Sequence, residues 1–153
     1  MTRETLAPVD LGALPELVGY HLRMAQLTVF KDFDREFADA DITPAIFGAL
    51  EVLYHNKGLT QTRLATAIGL DRSSLVPLLD KLQKRNLVAR EASLEDRRSN
   101  HLFLTAEGKQ LLVKAHQHVA LHEQRILAGL SKAETRQLIK LLSKIRVSDA
   151  DAE

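Results

Sequence analysis

The 153-residue sequence predicts a mainly α fold of six helices carrying a small β-hairpin, and three of its features lead there. Apolar residues return at helical spacing in six segments, four of which open on a hydroxyl side chain that can cap them: Thr43, Thr60, Thr105 and Ser131. Residues 87–90 and 100–104 read as two short strands around a polar, charged loop that is too long for a two-residue turn. Basic residues gather between Arg63 and Arg98, which gives one part of the surface a positive bias.

The first helix is expected over residues 13–38. Leu14, Leu17, Val18, Leu22, Met24, Leu27, Phe30, Phe33 and Phe37 cover more than one stripe of it, so it needs partners on two sides. Thr43 and Pro44 supply a cap and a first-turn proline for a second helix, striped by Ile46, Phe47, Leu50, Leu53 and Tyr54 and expected to stop near Lys57 and Gly58. Thr60 caps a short third helix carrying Leu64, Ala65 and Ile68. Gly69 ends it, because glycine takes the left-handed C-terminal conformation without strain. A brief turn leads to a fourth helix with Leu75, Leu78, Leu79 and Leu82 on one face and Lys81, Lys84 and Arg85 on the other; Asn86 closes it as the best left-handed substitute for glycine.

Pro77 lies inside that fourth helix, where it removes an amide donor and crowds the carbonyl four residues back. A local irregularity is expected there unless the helix starts as late as Ser73. After the hairpin, Thr105 opens a long helix with Leu111, Ala115, Val119, Ile126 and Leu130. Ser131 and Glu134 form a capping box for the last helix, striped by Leu138, Leu141, Leu142 and Ile145. No repeat or low-complexity run intervenes, and the ends, roughly residues 1–12 and 148–153, read as loose tails. A single domain over residues 1–153 is the economical reading.

With 45% hydrophobic and 27% charged residues the chain has enough apolar side chains for a core. The lack of cysteine excludes disulfides, thiolate metal sites, thiol nucleophiles and thiol redox sensing. The opening MTRETLAPVDLGALPELV has no basic start followed by an apolar run, and no stretch approaches the roughly 20 apolar residues that span a bilayer, so a cytoplasmic location is expected. A net charge of +1 conceals its distribution: bases outnumber acids between Arg63 and Arg98, whereas from Asp32 to Glu51 the acids stand against Arg35 alone. The seven glycines form no phosphate-cradling loop and no nucleophile has an adjacent base, so neither an enzyme nor a cofactor is expected.

Two short helices joined by a tight turn, the second with a polar start at Arg72, Ser73 and Ser74, match the helix-turn-helix arrangement that seats a recognition helix in the major groove. Hydroxyls and amides at a helix start can hold phosphate oxygens, and arginines read guanine edges or enter a narrow minor groove. The run TQTRLATAIGLDRSSLVPLLDKLQKRNLVAR followed by EDRRSNHLFLTAEGKQLL resembles the MarR family of ligand-responsive bacterial regulators, closely over roughly residues 42–112. The resemblance implies a winged helix-turn-helix, a twofold dimer joined by the first and last two helices, and a palindromic operator on double-stranded DNA. Residue by residue, Asp96 and Arg98 match the family's wing Asp-x-Arg, in which the acid holds the arginine in place, and Arg97 flanks them. Thr60, Gln61, Arg72, Ser73, Ser74, Val76, Pro77, Lys81 and Arg90 complete the expected DNA-binding set. Val76 and Pro77 depart from the family, many of whose members carry a threonine or serine and an arginine there, and Asn86 replaces the usual glycine.

The resemblance also divides the chain into a helical dimerisation region, residues 13–38 and 106–147, and a winged-helix DNA-binding lobe, residues 43–105. It implies an effector cavity between the first helices and the long helix after the wing, with His21, Arg23, Phe30 and Phe47 as candidate liners. AQLTVFKDF and LVPLLDKL are similar to members that govern aromatic-acid breakdown, whose effector is an aromatic acid or its coenzyme A thioester; an arginine beside an aromatic wall suits either anion. The expected function is thus a ligand-responsive repressor. His118 and His122 stand four apart on one helix face with Glu123 beside them, a spacing that can bring two imidazoles to one zinc ion. No further ligand is identifiable and no metal is expected, so a zinc-responsive regulator of the same fold stands as an alternative, beside a module that binds protein and no DNA.

Overall fold

The computed structural model describes residues 9–92 and 100–146. After a 3₁₀ turn at Leu14–Glu16 come the helices Val18–Glu36 (α1), Pro44–His55 (α2), Gln61–Ile68 (α3), Arg72–Lys84 (α4), Ala106–Ile126 (α5) and Lys132–Leu142 (α6). Strands Leu59–Thr60 (β1), Val88–Ala92 (β2) and Asn100–Leu104 (β3) form an antiparallel sheet in the order β1-β3-β2. The mainly α fold of six helices is as the sequence predicts, with a three-stranded sheet in place of a lone hairpin. β1 pairs Leu59 with Leu102 and Thr60 with His101, and a two-residue strand is too short to show alternation.

Local chemistry accounts for most boundaries. Thr43, Thr60 and Thr105 each accept the amide three residues on, and Ser131 and Glu134 close both halves of a capping box. Gly69 at φ 68 and Asn86 at φ 56 end α3 and α4 in the left-handed conformation. Several boundaries differ from expectation: α1 ends at Glu36, α5 stops short of Leu130 and α6 short of Ile145, and three others have a visible cause. The first helix is split, because Leu17 is extended between the proline-containing 3₁₀ turn and α1. α2 stops at His55, where Asn56 turns extended and its Nδ2 donates to Val52 O. β2 runs on to Ala92, two residues past the expected strand end.

Pro77 does not interrupt α4, which is continuous from Arg72 to Lys84, so the expected irregularity does not break the helix. The proline sits in the second turn, where its missing N–H withholds a partner from one carbonyl, that of the exposed Ser73, which water can serve.

The core lies where α2, α3 and α4 meet the sheet and α5. Leu50, Leu53, Leu64, Leu75, Leu79 and Leu82 are almost wholly removed from water, and burial of such a side chain is worth roughly 1.5–3 kcal/mol. The three- and four-residue spacing of the leucines in α4 therefore sets which face looks inward and which is left for a partner. α1 joins this core only at its C-terminal end, through Phe33 and the adjoining Phe37, whose rings stack 4.4 Å apart. Leu17, Leu22, Met24, Leu27 and Phe30 are exposed, and α6 buries none of its residues, with Ile139 63% accessible. No helix among the described residues is long and apolar enough to cross a membrane.

Candidate nucleic-acid interface

α3 and α4 are held at their turn by the core leucines and by the left-handed Gly69, and this arrangement presents the start of α4 to solvent. A cleft of about 680 Å³ opens there, and Thr60, Gln61 and Arg72 lie on its wall together with Thr62, Thr66 and Asn100 from β3. Three of the residues expected to meet DNA are thus brought together, along with neighbouring hydroxyl and amide side chains of the kind that bind phosphate or base edges. Val76 and Pro77 are exposed one turn further along α4.

Ser73 and Ser74 have a local partner that the sequence reading overlooked. Asp71 caps α4: its Oδ1 accepts the Ser74 amide and the Ser73 hydroxyl, each at 2.7 Å. The two bonds hold the Asp71 carboxyl below its ordinary range, the Ser73 hydroxyl contributing most and the Ser74 amide next. A carboxylate therefore already occupies this helix start, and the S/T/D/N-before-helix signal at position 71 was there to be read.

Two of the expected contacts, Lys81 and Arg90, are engaged within the protein. Arg90 on β2 donates from Nη2 to Asp80 Oδ1 on α4 at 2.7 Å, bracing the root of the hairpin against the recognition helix. Lys81 Nζ lies 2.7 Å from Asp41 Oδ1. Asp96, Arg97 and Arg98 lie outside the described residues.

The four candidate effector residues are dispersed in a single protomer. His21 Nε2 lies 2.7 Å from Pro15 O and ties the 3₁₀ turn to α1. Arg23 is exposed on α1. Phe30 lines a shallow hollow of about 490 Å³ with Gln26, Leu27, Lys31 and Asp34, which includes none of the other three. Phe47 is half-buried on α2, its ring 5.6 Å from that of His116.

His118 and His122 project from α5 onto two different carboxylates of α1. His122 Nδ1 is 2.9 Å from Asp32 Oδ2, His118 Nδ1 is 2.7 Å from Glu36 Oε1, and Arg125 joins both acids. The Arg125 guanidinium first, and His122 next, hold the Asp32 carboxyl down at about 2 from its ordinary 3.8. Each imidazole has its own carboxylate partner, and no group of three or more possible metal ligands occurs among the described residues. The pair thus joins α5 to α1, through partners 82 and 90 positions away in sequence.

The MarR family model matches residues 40–99, a stretch that takes in α2, β1, α3, α4 and β2. Over 147 residues, 95% of this chain and 89% of the relative, the sequence is 36% identical to the Thauera aromatica protein "Putative transcriptional regulatory protein for hcr operon". The chain belongs to the MarR family. Among solved structures, this MarR-family chain is similar to the transcriptional repressor CouR bound to a 23-mer DNA duplex, at a TM-score of 0.85 and 40% identity over 90% of this chain and 97% of that one. It is also similar to CouR bound to p-coumaroyl-CoA, at 0.81 and 37% over 89% and 96%. The family and these neighbours are transcriptional regulators. In the MarR frame, the exposed apolar rows of α1 and α6 fall on the helices expected to join a twofold dimer.

Proposed function

We propose that this protein is a repressor that binds a palindromic operator as a homodimer and lets go when an aromatic acid or its coenzyme A thioester binds. One observation carries the reading: the exposed, polar start of α4 beside a cleft walled by Thr60, Gln61 and Arg72, in a chain 40% identical to a repressor solved on duplex DNA. α4 then lies in the major groove, with Arg72 at a base or phosphate and the exposed Val76 and Pro77 against base edges and thymine methyls. Arg97 and Arg98, with Asp96 beside them, complete the proposed DNA-binding set. Residues 43–105 make up the DNA-binding lobe, and residues 13–38 and 106–147 the dimer.

CouR's p-coumaroyl-CoA complex supports an aromatic acyl thioester as the effector class. In the assembled dimer, His21, Arg23, Phe30 and Phe47 line the effector cavity, with Arg23 meeting the anion and the phenylalanines the ring. A coupling of about 1–3 kcal/mol between effector and DNA lowers operator affinity roughly 5- to 150-fold, enough for a switch.

The test is selection of sheared genomic fragments by the purified full-length protein at two salt concentrations, beside the double variant Arg97→Ala, Arg98→Ala. Enrichment of a palindrome by the wild type, with a salt slope lower by about one per lost phosphate contact in the variant, is the expected result. Release of the enriched fragment by p-coumaroyl-CoA or a related thioester then identifies the effector class. Capture of protein partners with no DNA enrichment at either salt concentration would overturn the reading.

A further inference from the structure

Asp41, in the turn between α1 and α2, adopts φ 48, a left-handed backbone uncommon outside glycine though tolerated by aspartate and asparagine. α4 reaches across to hold it. Arg85, at the C-terminal end of α4, donates from Nη1 to Asp41 O at 2.7 Å and from Nη2 to Ala40 O at 3.1 Å, and Lys81 donates from Nζ to Asp41 Oδ1 at 2.7 Å. One guanidinium therefore takes two backbone carbonyls of a turn 44 and 45 residues away, while a second base from the same helix takes the side chain. The ammonium beside it holds the Asp41 carboxyl below its ordinary range.

Such an exposed arrangement adds little to stability, since solvent screens it. Its geometric effect is larger, because α1 and α4 are each held by other elements and have no extensive packing on one another. α4 is set in the core by Leu75, Leu79 and Leu82. The end of α1 is set by the Phe33–Phe37 stack and by the bonds that tie its Asp32 and Glu36 to His122 and His118 of α5. The other half of α1 carries the unsheltered apolar row that ends at Phe30. α1 is thus a lever with a pairing face at one end and, at the other, a grip on the recognition helix.

We infer that Arg85 and Asp41 are positioning residues that fix the angle of the recognition helix against α1, and through it the half-site spacing the dimer accepts. The inference rests on the reading of a dimer on a palindrome. In such a dimer the separation of the two recognition helices must match the helical repeat of DNA, so a small rotation of α4 on α1 is read out as a change in preferred spacing. Arg85 and Lys81, although basic and on the recognition helix, act through α1 and not by neutralising phosphate.

The experiment uses the full chain as wild type, Arg85→Gln and Asp41→Asn. Asparagine keeps the left-handed backbone and both carbonyl acceptors, so Asp41→Asn folds even if Arg85→Gln is weakened. Each protein is titrated against a series of duplexes carrying the selected palindrome with its half-sites moved apart or together one base pair at a time, at two salt concentrations. The expected result is a sharp spacing preference in the wild type that flattens in Arg85→Gln, the advantage of the best spacing over its neighbours dropping roughly fivefold or more. Asp41→Asn shows a smaller loss, and the salt slope is unchanged in both. A wild-type preference that both variants retain would overturn the inference while leaving DNA binding intact. A salt slope lower by about one per subunit in Arg85→Gln would overturn it too, by placing the guanidinium on phosphate. A wild type that enriches no palindrome would bring down the DNA-binding reading, and this inference with it.

Discussion

Gly108, in the first turn of α5, offers a case in which helix propensity and packing pull in opposite directions. Replacing glycine by alanine inside a helix ordinarily gains up to about 1 kcal/mol. Here a Cβ would overlap the carbonyl oxygen of Leu87 and come 2.6 Å from Leu104 Cδ1. The leucine side chain can swing aside. The carbonyl cannot, because it accepts the Thr105 amide at 3.1 Å while the Leu87 amide donates to Leu82 O at 2.9 Å, which holds Leu87 from both sides at the junction of α4, β2 and α5. Restoring a normal contact means moving a strand or a helix by about 1 Å, at the upper end of the roughly 1–3 kcal/mol that overpacking costs. After the propensity gain is subtracted, Gly108→Ala should lose about 2 kcal/mol, which for a domain of this size lowers the melting temperature by roughly 4–8 °C. Urea unfolding followed by circular dichroism, at one fixed protein concentration, measures it. Gly19→Ala is the control: nothing lies within 4 Å of its would-be Cβ, so it should be neutral or slightly stabilising. A Gly108→Ala protein as stable as the wild type would show that the junction gives way, and would refute the reasoning.

Three further outcomes are expected. Asp32 has a lowered folded-state pKa, about 2 against an ordinary 3.8, so its contribution to stability is present above pH 4 or so and is lost as the pH falls towards 2; Asp32→Asn should therefore be less stable than wild type at pH 7, with the gap closing in that acid window, and a gap independent of pH in unfolding titrations would remove the ion pairs as its cause. Glutamates at Ile139 and Leu142, one turn apart on the exposed row of α6, should shift the protein to monomer in sedimentation velocity, and an unchanged dimer would place the pairing face elsewhere. Arg72→Ala should cost about 1–3 kcal/mol of operator affinity by fluorescence anisotropy, and an unchanged affinity would take Arg72 out of the interface.

What could be read from the sequence was what is decided within a few residues. Thr43, Thr60, Thr105 and Ser131 cap where they should, Gly69 and Asn86 end helices in the left-handed region, and the leucines of α4 point inward at their spacing. That apolar residues cover more than one stripe of the first helix also showed, and Leu22, Leu27 and Phe30 are left exposed by the rest of the chain. Contacts between distant segments did not show. Arg85 and Lys81 stand in the sequence as exposed bases of a recognition helix because nothing near them announces the Asp41 turn, and the carboxylate partners of His118 and His122 did not show because Asp32 and Glu36 belong to another helix. Gly108 carried no local mark at all, since its constraint is a backbone carbonyl 21 positions earlier.

The bare rows of α1 and α6 have a consequence for how much of this regulator a cell can usefully hold. A lone chain shows Leu17, Leu27, Ile139 and Leu141 to water. When pairing covers them, the stability of each copy depends on how many others surround it, and every tenfold rise in concentration is worth about 1.4 kcal/mol per dimer. Newly made chains that do not meet a partner are the ones that proteases and chaperones find first. The amount of paired regulator therefore rises roughly with the square of expression while chains are scarce and in simple proportion once most are paired, before any operator or effector is involved.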